Sequence, residues 1–463
     1  MKQTYFRSVL TMAGSALAVA LSGCATKPAP VAESWIEPRP LGKELSTYRP
    51  PREATNVPAL PPPIEEPTGE LALRQALALA LARNPALAAF SWDVRIGEAR
   101  ILQAGLRPNP NVLLDVQDFG GSGNYQGLSG SETTLTLSQL IELGGKRTAR
   151  LREARLSREL AGWDYETARL DVFTQTVQAF VEVLSLQQRL ALTEETVRLA
   201  EEVVAAVKKR VEAARTFAVE GTKAEVALAS AQIERDQTQR ALNAARQRLS
   251  ANWGNTQPRF ERVAGNLESI ASVPPADQLI QRVQQNPELA RWATEISQRE
   301  ATLKREKSKA IPDITLGAGY RRKEESGDNV AVLAVSIPLP LFNRNQGNIK
   351  EAEYRLARVQ EEQRAAELRV KTALGQTWQR LAAAHAELTA LKEKVLPGAQ
   401  TAFETVSRYY GEGRLSYLEV LDAQRTFFTA RAQYLRALSD YHQAEQASER
   451  LIGAPLTSTT NQP

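Results

Sequence analysis

The chain has 463 residues, 43% of them hydrophobic and 6% aromatic, with Ala, Leu, Glu, Arg and Gln filling long tracts; that mixture argues against disorder and for long helices rather than a compact mixed core. The formal charge of +5 comes from 58 basic and 53 acidic residues interspersed with one another, which speaks against a nucleic-acid partner. One cysteine and two histidines leave no disulfide framework and few ligands for a soft metal ion, so no metal site is expected.

The N-terminus reads as an address. Lys2 and Arg7 form a positive n-region, and residues 9–21 are an apolar run too short for a stable bilayer anchor. Leu21-Ser22-Gly23-Cys24 follows it directly, in the order of a bacterial lipobox. Residues 1–23 are then a lipoprotein signal peptide and the Cys24 thiol takes the lipid; the alternative is a plain signal peptide with an incidental cysteine. Ala25 is compatible with outer-membrane sorting. Residues 24–68 are rich in proline, which lacks a donor and fixes φ, so an extended tether is expected there.

The body is a duplicated unit, 69–257 and 258–453, with a tail at 454–463. Asn84-Pro85 corresponds to Asn286-Pro287, Pro110 to Pro312 and Gly145 to Gly347, all at one offset of 202. Later landmarks, Gly221 with Gly413 and Ala231-Gln232 with Ala423-Gln424, are 192 apart. The shorter offset predicts a deletion of about one coiled-coil segment in the second half. Each half reads as helix, two strands, long helix, helix. Leu186, Leu190, Thr193, Val197, Ala200, Val204, Val207, Val211 and Ala214 step by four and three, as do Val420, Ala423, Phe427, Ala430, Tyr434, Ala437, Tyr441 and Ala444. That 3.5 period specifies helices supercoiled along a seam. One helix over 146–215 would be ~100 Å long at ~1.5 Å per residue.

The strands alternate. Val112, Leu114 and Val116 face one way and Asn111, Asp115 and Gln117 the other; Ile314, Leu316, Ala318 and Tyr320 alternate with Asp313, Thr315, Gly317 and Arg321. Partner runs fall at about 133–142 and 330–338. One apolar and one polar face suits a barrel wall between lipid and water, or a half-buried hairpin on a soluble domain. Four strands cannot close a barrel, and open edges are not tolerated in lipid; a trimer would supply twelve.

Residues 71–80 (LALRQALALA) with Asn84-Pro85, Leu143-Gly144-Gly145-Lys146-Arg147, and residues 409–424 (YYGEGRLSYLEVLDAQ) together resemble the TolC-type outer-membrane efflux family over about residues 70–453. Residues 336–347 (SIPLPLFNRNQG) look most like its CzcC branch. The resemblance implies a mainly α fold with a small β part: a homotrimer whose long coiled-coil helical tunnel continues a twelve-stranded β-barrel, four strands per chain, in the Gram-negative outer membrane. It implies a periplasmic adaptor (a membrane fusion protein), an inner-membrane pump of the resistance-nodulation-division (RND) class and outer-membrane lipid as partners. The implied function is passive exit of cobalt, zinc and cadmium ions, with no cofactor beyond the lipid on Cys24.

The resemblance also maps the family's gate carboxylates onto Glu419 and Asp422, whose i, i+3 spacing puts them on one helix face. Gly221 and Gly413 fall where each long helix pair should reverse, and Thr222, Arg414, Leu415 and Ser416 beside them are the expected adaptor contacts. Arg344 and Asn345 read as turn and subunit-contact residues. Trp163, Trp253 and Trp378 read as packing residues, and His385 and His442 as ordinary helix residues. No GxxxxGK[ST], GxSxG or HExxH motif occurs, so no enzyme is expected. Duct walls are unselective, which leaves a multidrug or organic-solute duct as an alternative; the alternative of another class is a non-pore coiled-coil structural or adaptor lipoprotein.

Overall fold

The computed structural model describes residues 35–51, 65–214 and 216–456; Cys24 and the lipobox lie outside the described residues. The first half runs β1 (Glu70–Ala72), α1 (Leu73–Arg83), α2 (Pro85–Gly105), β2 (Asn111–Gln117), β3 (Glu132–Ile141), α3 (Lys146–Glu212) and α4 (Ala218–Ala251). The second repeats it as β4 (Arg262–Ala264), α5 (Ala276–Arg282), α6 (Pro287–Lys309), β5 (Ile314–Lys323), β6 (Asn329–Ser336), α7 (Gln346–Ala390), a π-turn (Leu391–Val395), α8 (Leu396–Gly411) and α9 (Tyr417–Ile452). The protein is mostly helical with a small sheet part. Among the described residues no helix is long and apolar enough to cross a membrane.

The duplication is built into the hydrogen bonds. Proline at the first helical position needs no donor, and the asparagine before it caps the helix. Asn84 Oδ1 accepts the N–H of Leu87 at 3.0 Å, and Asn286 Oδ1 accepts those of Glu288 and Leu289 at 2.7 and 3.3 Å. Each amide then donates to the end of the last helix of its own half: Asn84 Nδ2 to Asn252 O at 2.9 Å, Asn286 Nδ2 to Leu451 O at 2.8 Å. The short parallel pair β1–β4, with Leu71 opposite Val263, joins the halves. Around it Leu79, Leu170, Val183, Leu249, Leu374, Leu438 and Tyr441 form the main core. The seam positions read from the heptads are buried or half-buried, except Ala214, which is exposed. Trp163, Trp253 and Trp378 each pack with the indole N–H satisfied, by Thr294, Glu66 and Pro274 O at 3.1, 3.1 and 2.9 Å. His442 bonds Leu267 O at 2.8 Å and Glu445 at 3.1 Å, and the His385 ring lies against Tyr441.

Part of the proline-rich segment is packed rather than merely extended. Leu41 is buried, and the backbone N–H of Arg39 donates to Glu166 Oε1 at 2.7 Å. Arg169, fully buried beside Glu166 at 2.7 Å, donates to Leu41 O at 2.9 Å and Arg39 O at 3.2 Å. The ion pair survives burial because these carbonyls and the Arg39 N–H satisfy it.

The second half carries no deletion. Helix α3 has 67 residues, and α7, the π-turn and α8 have 45, 5 and 16, continuous and within one residue of the same total. The π-turn sits directly before Pro397, whose missing N–H would interrupt an α-helical ladder. The equivalent of Gly413 is not Gly221 but Ala214. Both end their long helix in the left-handed region, Gly413 at φ 76° and Ala214 at φ 53°. The N–H of Gly413 donates to Tyr410 O and that of Arg414 to Tyr409 O, both at 2.9 Å, closing the helix in a Schellman motif. Ala214 makes the first of these bonds, to Val211 O at 3.0 Å. Gly221 lies inside the first turn of α4, away from the reversal. Pairing glycine with glycine therefore shifted the later landmarks. A Cβ in the left-handed region costs about 1 kcal/mol, so Ala214→Gly should raise the thermal midpoint by a few degrees in calorimetry, while Gly413→Ala should lower it.

Candidate functional site

Two regions at opposite ends of the long helices have surfaces that the single chain does not use. The first is the sheet. Its order is β2-β3-β5-β6, antiparallel throughout. The two strand pairs expected from the sequence are thus one sheet, joined by the ten-pair ladder between β3 and β5. Directly paired residues share a face. Val112, Leu137, Ala318 and Leu333 form one row across all four strands, and Leu114, Leu135, Tyr320 and Ala331 the next. The opposite face carries Asp115, Thr134, Arg321 and Val330 in one row, Leu113, Thr136, Gly319 and Val332 in the next, and Asn111, Ser138, Gly317 and Ala334 in a third. The first face is apolar over its central rows, and the second mixes polar, small and aliphatic side chains. On that second face Glu132 joins Arg321 at 3.0 Å and Lys323 at 2.7 Å. The apolar face is open: Val112 is 70% exposed and Leu333 85%. β2 and β6 are the sheet's outer strands, each lacking a neighbour on one side among the described residues.

The sheet is set rigidly on the helices by two matching joints. Gly145, at φ 70°, precedes α3, and Asn345, at φ 60°, precedes α7. In the first joint Asp313 accepts the Leu143 N–H at 3.0 Å and pairs with Lys146 at 2.7 Å. In the second, Asn345 Nδ2 donates to Glu306 O at 2.8 Å and Oε2 at 2.9 Å. Burial alone would raise the Glu306 pKa, but hydrogen bonds from Lys309, Asn345 and Arg305 outweigh it and bring it to about 2. Asn345 is thus a turn residue, and Arg344 Nε donates to Pro340 O at 3.1 Å within the same turn.

The second region is the pair of helix reversals. Val207 and Ala224 from the first hairpin and Tyr417 and Val420 from the second form a small buried cluster of their own, so the two tips are fixed against each other. The Arg210 guanidinium lies 4.7 Å from the Tyr410 ring centroid, and Tyr417, buried beside Tyr410 and Glu220, has its hydroxyl pKa raised to about 12. Gly413, Arg414, Leu415 and Ser416 make the second reversal, and Arg414 stacks over Tyr409 at 5.2 Å. Thr222 is exposed on the first turn of α4, one residue past Gly221. Sequence reasoning missed Phe217, which caps α4 at the first reversal and is 80% exposed. Its only signal was an aromatic residue beside a helix break.

Glu419 and Asp422 are both exposed on the first turns of α9. They differ in what holds them. Glu419 closes a capping box: its Oε2 accepts the Ser416 N–H at 2.7 Å and the Ser416 hydroxyl at 3.0 Å. Asp422 lies one turn on, past the cap. Among the described residues no group of three or more His, Cys, Asp and Glu converges as a metal site. Losing the cap costs about 1 kcal/mol. Glu419→Ala should therefore speed amide exchange over residues 417–420, and Asp422→Ala should leave that exchange at the wild-type rate.

The sequence profile of the family described as Outer membrane efflux protein matches residues 76–255 and 279–454. The cobalt-zinc-cadmium resistance protein CzcC of Cupriavidus metallidurans is 36% identical over 397 residues, covering 86% of this chain and 93% of that protein. The nickel and cobalt resistance protein CnrC of the same organism is 27% identical, over 62% of this chain and 67% of that one. A solved structure of CusC, described in terms of folding and transmembrane channel formation, superposes with a TM-score of 0.72 at 18% identity, covering 89% of this chain and 99% of that chain.

Proposed function

The chain belongs to the outer membrane efflux protein family, and from that premise we propose that it is the exit duct of a tripartite efflux system for divalent transition-metal cations. Three copies join their sheets edge to edge into a twelve-stranded barrel in the outer membrane. The helices, ~100 Å long at ~1.5 Å per residue, continue it as a tunnel into the periplasm. The observation that carries the reading is the sheet itself, with an exposed apolar face, a mixed face that carries Asp115, Thr134 and Arg321, and two edges without a neighbour among the described residues. The strands run alternately up and down in the order β2-β3-β5-β6, so the β6 of one copy meets the β2 of the next antiparallel, and the alternation continues around a closed ring.

The metals named for the two resistance proteins support cobalt, zinc, cadmium or nickel as cargo. The cargo is neither chosen nor driven by this chain. Selection and energy come from an inner-membrane RND pump, joined to the duct by a periplasmic adaptor. The adaptor meets the reversals at Thr222, Arg414, Leu415 and Ser416, with Gly413 shaping the turn and Gly221 beside Thr222. Phe217 joins that surface. Six carboxylates, Glu419 and Asp422 from each copy, ring the tunnel's narrow end and attract cations. A lipid on Cys24 adds a second hold on the membrane, and the packed strap at residues 35–51 ties that anchor to the helices.

Two measurements test this reading. A charge at the middle of a lipid-facing strand costs ~2–4 kcal/mol, against little on a lumen face. Leu333→Lys should thus abolish trimers extracted from outer membranes, whereas Ala334→Lys, one residue on and facing the other way, should assemble. Equal behaviour of the two would refute the barrel. In planar bilayers the purified trimer should give cation-selective conductance that zinc blocks from the periplasmic side. Asp422→Asn should weaken that block at least several-fold; an unchanged block would leave the duct standing and remove Asp422 from the gate.

A further inference from the structure

The segment that leaves the sheet after β6, residues 337–342, reads Ile-Pro-Leu-Pro-Leu-Phe. It is the most exposed apolar stretch of its length in the described chain: Leu339 is 75% exposed, Leu341 65% and Phe342 91%. It is also held in shape. Two prolines fix its backbone. The Leu341 N–H donates to Leu339 O at 2.9 Å, Arg344 Nε to Pro340 O at 3.1 Å, and Gln346 Nε2 to Phe342 O at 3.2 Å. A stretch of large apolar side chains presented on a fixed backbone is a docking element rather than a loose connection.

Strand direction says what it meets. β6 descends toward the helices and ends at Ser336; β2 ascends from them, beginning at Asn111 directly after Pro110. Both stand at the free edges of the sheet. When β6 of one copy pairs with β2 of the next, the chain below β6 lies beside the chain that feeds β2. That feeder is the end of α2 and the extended residue that follows it, where Leu102 and Leu106, four positions apart, are each 43% exposed. This corner is also fixed, because Arg147 Nε donates to Gly105 O at 2.6 Å and Arg150 Nη2 to Leu106 O at 3.2 Å. Pro110 and Pro338 lack N–H donors, so neither can extend an edge ladder below the strands, leaving side chains to make the contact there.

We propose that residues 337–342 form an apolar hook that seats on Leu102 and Leu106 of a second copy of this chain and locks the base of the ring. The inference rests on the trimeric-barrel reading and adds to it a contact outside the strands. It commits each copy to one neighbour on each side, since hook and corner lie at opposite edges of the same sheet. A ring closed in this way is fastened by side chains below the barrel as well as by the backbone ladder within it.

Cysteine pairs in the full-length protein, extracted from outer membranes in mild detergent, separate the two claims. Leu339→Cys with Leu106→Cys, treated with a short bismaleimide, should give covalent dimers and trimers on denaturing gels, and neither single change should. Val335→Cys with Val112→Cys reports the strand edges on their own. If the edge pair cross-links and the hook pair does not, the hook inference is overturned while the barrel stands; the segment then lies against lipid. If neither pair cross-links in folded protein, the barrel reading falls with it. As a second arm, Leu341→Ser/Phe342→Ser should lower the temperature at which the trimer dissociates in detergent, and an unchanged temperature would also overturn the hook.

Discussion

An unpaired backbone N–H or C=O in hydrocarbon costs several kcal/mol, because no water is there to take its hydrogen bond. Few constraints act on this chain as hard. Its sheet exposes the apolar rows of one face, and its outer strands have no neighbour on one side among the described residues. Such a surface is stable only where the edges are paired and the apolar face meets something other than water. The neighbours must run in the right direction, and alternation of the four strands fixes that direction. They must also pair in a register that keeps the apolar rows continuous, since a one-residue slip would turn Val335 and Leu333 inward. Closure by copies of the same chain satisfies each of these demands with no additional element.

The rest of the molecule follows from holding that sheet at a fixed height above a distant tip. The joints at Gly145 and Asn345 set the sheet on the helices, and the matched lengths of α3 and of the α7–α8 run bring both reversals to one level. The asparagine caps at Asn84 and Asn286 and the β1–β4 pair clamp the middle. Because those clamps are repeated in both halves, the proposed ring of three chains would present six nearly equivalent hairpins. The halves differ at the π-turn that precedes Pro397 in the second.

Much of this was legible in the sequence because it rests on periodicity. Alternation assigned the strand faces, and heptads assigned the seams at Val197, Val207, Val420 and Tyr434, all buried. What escaped the sequence is non-local or locally atypical. Pairing of β3 with β5 joins residues nearly two hundred positions apart and leaves no short-range signal. The first reversal was misplaced because Gly is the usual left-handed residue and Ala214 takes that role instead. The strap was read as a tether because its prolines outweighed Leu41, whose burial depends on Glu166 and Arg169 more than a hundred residues away. Phe217 carried no periodic pattern, only an aromatic side chain beside a helix break.

The same reasoning separates the two acidic residues at the tip. A carboxylate that both caps a helix and lines a gate is committed twice, and Glu419 already accepts two hydrogen bonds from Ser416. Neutralising it would disturb the fold of the tip as well as the field inside it. Asp422 sits past the cap, so in the proposed gate its charge would serve a passing cation without loss to the helix. A duct that must open for its pump and then release ions outward gains from weak, exposed carboxylates, because a tight site would retain its cargo. In the proposed ring of six carboxylates the three Asp422 side chains lie past the cap, while the three Glu419 side chains also keep the reversals in shape.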